Sequence, residues 1–402
     1  MAKHQEKATK LERAYKILEY LRKNSDSEHT VTQASLRRVS EMEKYLGDKE
    51  TYNNTIVNMA KAMNTDEHGT TKPEEQWKIV FNDFKKKYGD SIPNNTETDD
   101  DKDEETTAMR IRGLYYNHTF SYEEINSLIE GILFSKTLDS KTANEIIEKI
   151  ENNLTTKFYK KGPKHICKVK EPMLAGREIL RKNLRTIQQA IDDGVQISFR
   201  FNGYNRDKQL VPNHKEKDIV SPYYIVANGG KYYLLACKEL MRDGRYVRNM
   251  SIWRIDLMTD IDIPNRNEKL NIKGIGAINK WDVANLPQVW NDEFQLSHLN
   301  MSFDRPVKVR LRIKSLKEKD NPLKPLRADY TFMYDWFGNT FKYIKTEDIP
   351  PYDDIVEVKC SPFAMANWAL QYSDRVEVLA PESVRNMVIE KVKSLMGKYI
   401  KG

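Results

Sequence analysis

Asn228 is followed by Gly229 and Gly230, and strand-forming runs flank them at 218–227 and 231–237. Two consecutive glycines reach the positive φ that a two-residue reversal demands, so the runs are expected to pair as an antiparallel hairpin. Just upstream, residues 195–201 alternate strictly. Val195, Ile197, Phe199 and Phe201 fall on one face, with Gln196, Ser198 and Arg200 on the other. Residues 248–257 supply a further strand. Four or five short strands joined this tightly predict a small, strongly curved, barrel-like sheet. Its aromatic rings and cations can stack a base or fork onto a phosphate.

The first third of the chain is helical in pattern. Leu11, Ala14, Tyr15, Ile17, Leu18 and Leu21 recur at helical spacing, Thr32-Gln33 opens a second stripe (Leu36, Val39, Met42), and residues 50–63 form a third with Ile56, Ala60 and Met63 inward. Three short helices so tightly joined fit a helix-turn-helix, and equally a three-helix bundle that only packs or dimerises. Residues 85–107 then change character: seven carboxylates crowd the run from Glu97 to Glu105, in a stretch that also holds Pro93, Asn94 and Asn95. Like charges at this density read as a solvated loop rather than as an acidic mimic of nucleic acid. Ser121 and Glu124 form a capping box before Ile125, Leu128, Ile129, Ile132 and Leu133. Further helices follow through Ile146, Ile147 and Ile150 and over 179–191, as a spacer suited to dimerisation. Beyond the curved sheet, residues 307–313 alternate apolar and basic, 330–345 and 355–360 read as strands, and 362–372 and 381–399 as helices, Pro381 opening the last.

Catalytic patterns are missing from the sequence. It holds no phosphate-binding loop, no nucleophile elbow and no histidine pair at metal-ligand spacing, so neither enzyme activity, nor a metal, nor a cofactor is expected. Cys167, Cys237 and Cys360 are widely separated, which favours reduced thiols. The charged opening residues lack the apolar centre of a secretory signal, and no apolar run is long enough for a membrane span. A cytoplasmic protein without membrane contact is the expectation. With 402 residues, 31% of them charged, and a net charge of +7, the chain suits several solvated domains and permits a nucleic-acid partner without requiring one.

Several of these segments, in order, resemble one family. Tyr232-Tyr233-Leu234, the later Arg254-Ile255-Asp256 preceded by Trp253, and Ser221-Pro222-Tyr223-Tyr224 resemble the WYL domain over about 187–263, tyrosine standing where the naming tryptophan would be. Tyr334-Asp335-Trp336-Phe337-Gly338, Trp368 to Tyr372 and Val376 to Glu382 resemble the extension that usually follows that domain. The first 65 residues resemble the winged helix-turn-helix that usually precedes it.

The resemblance implies a multidomain α+β protein. Its parts would be a winged helix-turn-helix (1–66), an acidic insertion (67–110), a helical spacer (111–185), a Sm-like small β-barrel (the WYL domain, 186–275) and a C-terminal α+β extension (295–402). It further implies a homodimeric transcriptional regulator that binds operator DNA and senses a nucleic acid or nucleotide-like ligand, in company with phage-defence and CRISPR systems. The alternative is an accessory protein that binds single-stranded DNA or RNA and modulates a defence nuclease. Ser198, Arg200, Tyr223, Lys231, Tyr233, Arg248, Trp253 and Arg254 are the expected pocket. Tyr232 and Leu234, opposite in phase to Tyr233, are expected in the core, and an Arg254–Asp256 pair is the structural alternative to a ligand role for that arginine. Lys49, Thr51, Tyr52, Asn53, Asn54 and Thr55 are the expected DNA-binding residues. Asn53 and Asn58 stand where the family commonly has arginine-type positions, which forfeits charge for phosphate. Leu257 replaces a frequent second arginine in the pocket. Lys308, Arg310 and Arg312 suggest either a basic track or a solvated strand face.

Overall fold

The computed structural model describes residues 8–89, 109–160, 166, 177–291, 293–316 and 328–400. The acidic run from Glu97 to Glu105 lies outside these residues, as does Cys167. The chain divides into two compact units, Met1–Glu171 and Pro172–Gly402.

The first unit starts with α1 (Lys10–Asn24). The Thr9 hydroxyl accepts from the Glu12 N–H while Glu12 reaches back to the Thr9 N–H, satisfying two donors that the first turn would otherwise leave open. Of the Leu36, Val39 and Met42 stripe, Leu36 lies in α2 (Gln33–Arg37), Val39 in the turn that follows, and Met42 at the cap of α3 (Glu43–Leu46). α4 (Lys49–Asn64) follows under an Asp48 cap. Strands β1 (Ile79–Val80) and β2 (Tyr115–Tyr116) pair antiparallel, with α5 (Asn82–Tyr88) between them in sequence.

One core joins all these pieces. Ile17, Leu21, Leu36, Tyr52 and Ile56 meet Trp77, Phe81, Phe84 and Leu114, so packing does not stop at residue 66. Buried Asn64 closes the join. Its amide donates to the Ile79 carbonyl at 2.7 Å and accepts from Lys78 N–H at 2.7 Å, which ties β1 to the end of α4. The hairpin of α6 (Tyr122–Phe134) and α7 (Ser140–Leu154) completes the unit, and the Ser121–Glu124 capping box is present as expected.

The second unit opens with α8 (Arg177–Asp193), followed by β3 (Ile197–Tyr204), β4 (Leu210–Pro212), β5 (Asp218–Asn228), β6 (Lys231–Arg242), β7 (Arg245–Arg254) and β8 (Met258–Asp262). The antiparallel sheet runs β4-β3-β5-β6-β7, and β8 turns back onto β3, curling it into a half-barrel. Gly229 and Gly230 both have positive φ, and Asn228 pairs with Lys231 across them. Both faces of the sheet are covered. Leu234, Ala236, Ile197 and Phe199 pack with α8 through Ile187 and Ala190. Their strand neighbours Leu235 and Cys237 face the other way, onto Val283, Leu286, Phe294 and Met301. The segment beyond residue 275, including the short α9 (Phe294–Ser297), therefore packs as part of the half-barrel.

A four-stranded antiparallel sheet, β10 (Lys342–Thr346)-β11 (Asp354–Cys360)-β9 (Val307–Ile313)-β12 (Val376–Ala380), forms the remainder with α10 (Thr331–Phe337), α11 (Pro362–Gln371) and α12 (Glu382–Tyr399). Here the expected strand over 330–345 is corrected. Its first half is helix α10, because Phe332, Met333 and Phe337 project together onto Trp368 of α11. Gly338, at φ 50° and ψ −130°, ends that helix in a conformation open to glycine alone. Lys308, Arg310 and Arg312 are not a free basic track. Lys308 and Arg310 meet Glu357, and Arg312 meets Glu347 and Glu377. Cys237 and Cys360 are free and buried, and burial pushes their thiols up to about 11 and 12.

Candidate ligand and nucleic-acid interfaces

Strand phase decides which pocket residues can meet. Tyr233, Leu235, Cys237 and Glu239 share one face of β6, and they stand opposite Arg254, Ile252, Met250 and Arg248 of β7. Arg254 and Tyr233 are direct cross-strand partners, as are Arg248 and Glu239. Six residues of extended chain separate Arg248 from Arg254, roughly 20 Å. One phosphate cannot touch both. Arg200 lies on β3, level with Thr259 of β8. The expected convergence of three arginines on one ligand is not found.

Each of the three arginines already holds a carboxylate. Arg200 Nε donates to Asp260 Oδ2 at 3.1 Å, and its Nη1 donates to the Lys215 carbonyl. Arg248 Nε donates to Glu239 Oε1 at 2.6 Å. Arg254 forks onto Asp256, Nε to Oδ1 at 3.1 Å and Nη2 to Oδ2 at 2.5 Å. The Asp256 hydrogen bond raises the Arg254 pKa against the opposing effect of burial, so the guanidinium stays charged. Its Nη1 makes no hydrogen bond among the described residues.

Trp253 is half-buried and packs against the core rather than beside Arg254. As the strand neighbour of Arg254 it faces the opposite way, where it meets Phe199 and Phe201 edge-on at 5.3 and 5.0 Å. Its indole N–H is spent on the Ser251 hydroxyl at 2.8 Å. Ser198 is only 8% exposed. The Tyr223 hydroxyl donates to the Ile278 carbonyl at 2.8 Å, and burial pushes its phenol up to about 12. Lys231 is exposed beside the hairpin turn. Leu234 is fully buried and Tyr232 packs against the same core, as their phase requires.

What does assemble is a smaller group: Arg254, Asp256, Tyr233 and Tyr204. Burial raises the pKa of both phenols, and each feels the charges of Arg254 and Asp256. The Tyr204 hydroxyl is buried without a hydrogen-bond partner. Two buried amides brace the group. Asn183 of α8 donates to the Ile255 and Met258 carbonyls at 3.1 and 2.9 Å, fixing the helical turn that carries Asp256. Asn202 donates to the Leu257 carbonyl at 2.8 Å. Sequence reasoning missed Tyr204, Asn183 and Asn202. An amide on the apolar stripe of Leu180, Leu184 and Ile187 was the one available signal. Elsewhere on the sheet, Asp218 is fully buried against the Lys238 ammonium.

On α4, Tyr52 is 1% exposed within the core and cannot touch DNA. A helix repeats every 3.6 residues, which turns position 52 inward together with Ile56 and Ala60. Lys49 and Asn54 are exposed, Thr51, Asn53 and Thr55 half-buried, and the Thr55 hydroxyl donates to the Thr51 carbonyl at 2.7 Å. Asp48 caps the helix at 2.7 Å from the Thr51 N–H.

Among the described residues no helix is long and apolar enough to cross a membrane, and no cluster of potential metal ligands occurs. No curated protein matches the chain. Among solved structures it is similar to proteasome accessory factor B/C (PafBC) of Arthrobacter aurescens, at 14% identity over 72% of this chain and 39% of that one, with a TM-score of 0.23. It is also similar to a CRISPR Cas-related protein, at 15% identity over 55% of this chain and 53% of that one, with a TM-score of 0.32. The chain thus spans about half or less of either protein's length. The half-barrel can be assigned: residues 182–263 match the family model of the WYL domain, so the chain carries a WYL domain there.

Proposed function

We propose that this chain is a ligand-responsive, DNA-binding transcriptional regulator of the WYL type, acting as a homodimer in the cytoplasm and associated with phage defence. The observation that carries the reading is the Arg254 group inside the matched WYL domain. A charged guanidinium stands beside two phenols, one of them unpartnered, on a braced turn. That chemistry suits the phosphate and base of a nucleic acid or nucleotide-like ligand. In the first unit, α4 behind its Asp48 cap acts as the groove-entering helix and the β1–β2 ladder as a minimal wing. Ligand would favour one dimer arrangement over another and so shift operator affinity.

A second reading draws on the exposed face of α4, whose middle offers Asn54 and Asn58 and no arginine. An accessory protein that grips single strands through the WYL domain needs no charge there. Binding of a duplex from the protein's own promoter and of a single-stranded oligonucleotide, each measured for wild type and Arg254→Ala, separates the two. The regulator reading expects duplex binding that survives Arg254→Ala in the absence of ligand. Tight single-strand binding abolished by Arg254→Ala, with no competition from duplex, overturns it.

A further inference from the structure

A cavity of about 410 Å³ lies in front of the first turn of α4, bordered by Arg13 of α1, Arg37 of α2 and Lys44 of α3. Three separate helices thus bring one cation each to a single hollow. Arg37 Nη2 donates to the Gly47 carbonyl at 3.1 Å, which pins its guanidinium over the loop preceding α4. Arg13 Nε is buried with no hydrogen-bond partner. Among the described residues none of the three is ion-paired, in contrast to Arg200, Arg248 and Arg254 on the sheet.

Two carboxylates share the hollow. Asp48 is committed to capping, and its carboxyl sits below the ordinary range first through the Thr51 N–H, with Arg13 and Arg37 adding to the effect. Glu43 is the other. Three cations against two carboxylates leave the site with one net positive charge. The exposed face of α4 lacks such charge, with lysines only at Lys49 and Lys61.

We infer that this hollow is the seat of a backbone phosphate of duplex DNA, and that Arg13, Arg37 and Lys44 supply from outside α4 the charge that its asparagine-rich face does not carry. The inference rests on the DNA-binding reading above and adds the residues that hold the strand. Phosphate contacts set orientation and most of the affinity, whereas side chains in the groove read sequence. Asn53, Asn54 and Asn58 would then be free to read adenine edges without also supplying attraction.

The test is a salt series by fluorescence anisotropy with the full chain and a labelled promoter duplex. Each neutralised phosphate contributes about 0.9 to the slope of log K against log salt. Arg37→Gln and the double variant Arg13→Gln/Arg37→Gln are expected to lower the slope by about 1 and to weaken all duplex sequences alike, by about 10-fold at moderate salt. Arg37→Lys keeps the charge and is expected to restore the slope, and Arg38→Gln, outside the hollow, to leave it unchanged. Thermal melting checks folding, and Arg37→Gln, which loses one surface hydrogen bond, stands in should the double variant unfold. Wild type that binds duplex with a slope untouched by Arg37→Gln, or matched by Arg38→Gln, overturns the inference and leaves the regulator reading intact. Failure of wild type to bind any duplex at low salt overturns both.

Discussion

Replacing Asn183 by leucine keeps the branching at Cγ, with bulkier methyl ends, and removes both hydrogen bonds to the turn at 255–258. The residue is 2% exposed, so water cannot replace the lost amide. The two carbonyls are affected unequally. Ile255 O also accepts from the Met258 N–H and keeps that bond, whereas Met258 O loses its Asn183 donor at 2.9 Å. A buried polar group deprived of its partner costs about 1–3 kcal/mol, and one partly satisfied costs less, so about 2 kcal/mol is expected for the pair. Urea unfolding followed by tryptophan fluorescence reads the correct unit, since every tryptophan except Trp77 lies in Pro172–Gly402. With a denaturant slope of about 3 kcal/mol per molar, the midpoint should fall by about 0.7 M. A midpoint shift below about 0.2 M would refute the argument that this amide braces the site.

Two further outcomes follow from burial and charge. Tyr52→Phe removes a hydroxyl that is buried without a partner, so stability should stay level or rise by about 1 kcal/mol, with duplex affinity unchanged; a tenfold loss of affinity in a folded variant would put Tyr52 back on the DNA surface. Burial alone would raise the Asp304 carboxyl, but the Phe363 N–H and the Ser302 and Ser361 hydroxyls outweigh it and hold the pKa below the usual range. Its stabilising contribution is therefore present above the unfolded value near about 4 and is lost as pH falls through the folded value. Melting temperatures of Asp304→Asn should lie lower than wild type at neutral pH and fall less steeply below about pH 4. Parallel curves would contradict this.

The sheet was legible where side-chain alternation and turn chemistry agree. Phe199 and Ile197 point inward, and Gly229-Gly230 reverses the chain, for reasons present in the local sequence. Trp253 shows how a motif can mislead. Taken as one recognition unit with Arg254, it ought to have been separated from it, because neighbours on a strand face opposite ways. Residues 330–337 were expected as strand, whereas the spacing of Phe332, Met333 and Phe337 before Gly338 fits a helix turned onto Trp368. Asn183 showed only as an amide on an apolar stripe; its partners, 72 and 75 residues away, are brought to it by the fold alone. The Glu239–Arg248 pair becomes visible only once the β6–β7 register is known. Asp256, two residues after Arg254, was within reach from the start.

The carboxylates resident at Arg200, Arg248 and Arg254 make this sheet an ion exchanger rather than an empty trap. An incoming anion gains only the difference between its own hold on a guanidinium and that of the group it displaces. A lone small anion gains almost nothing by such a swap. A polymer whose successive charges engage several points at once retains the advantage, and its grip should weaken steeply as dissolved salt competes.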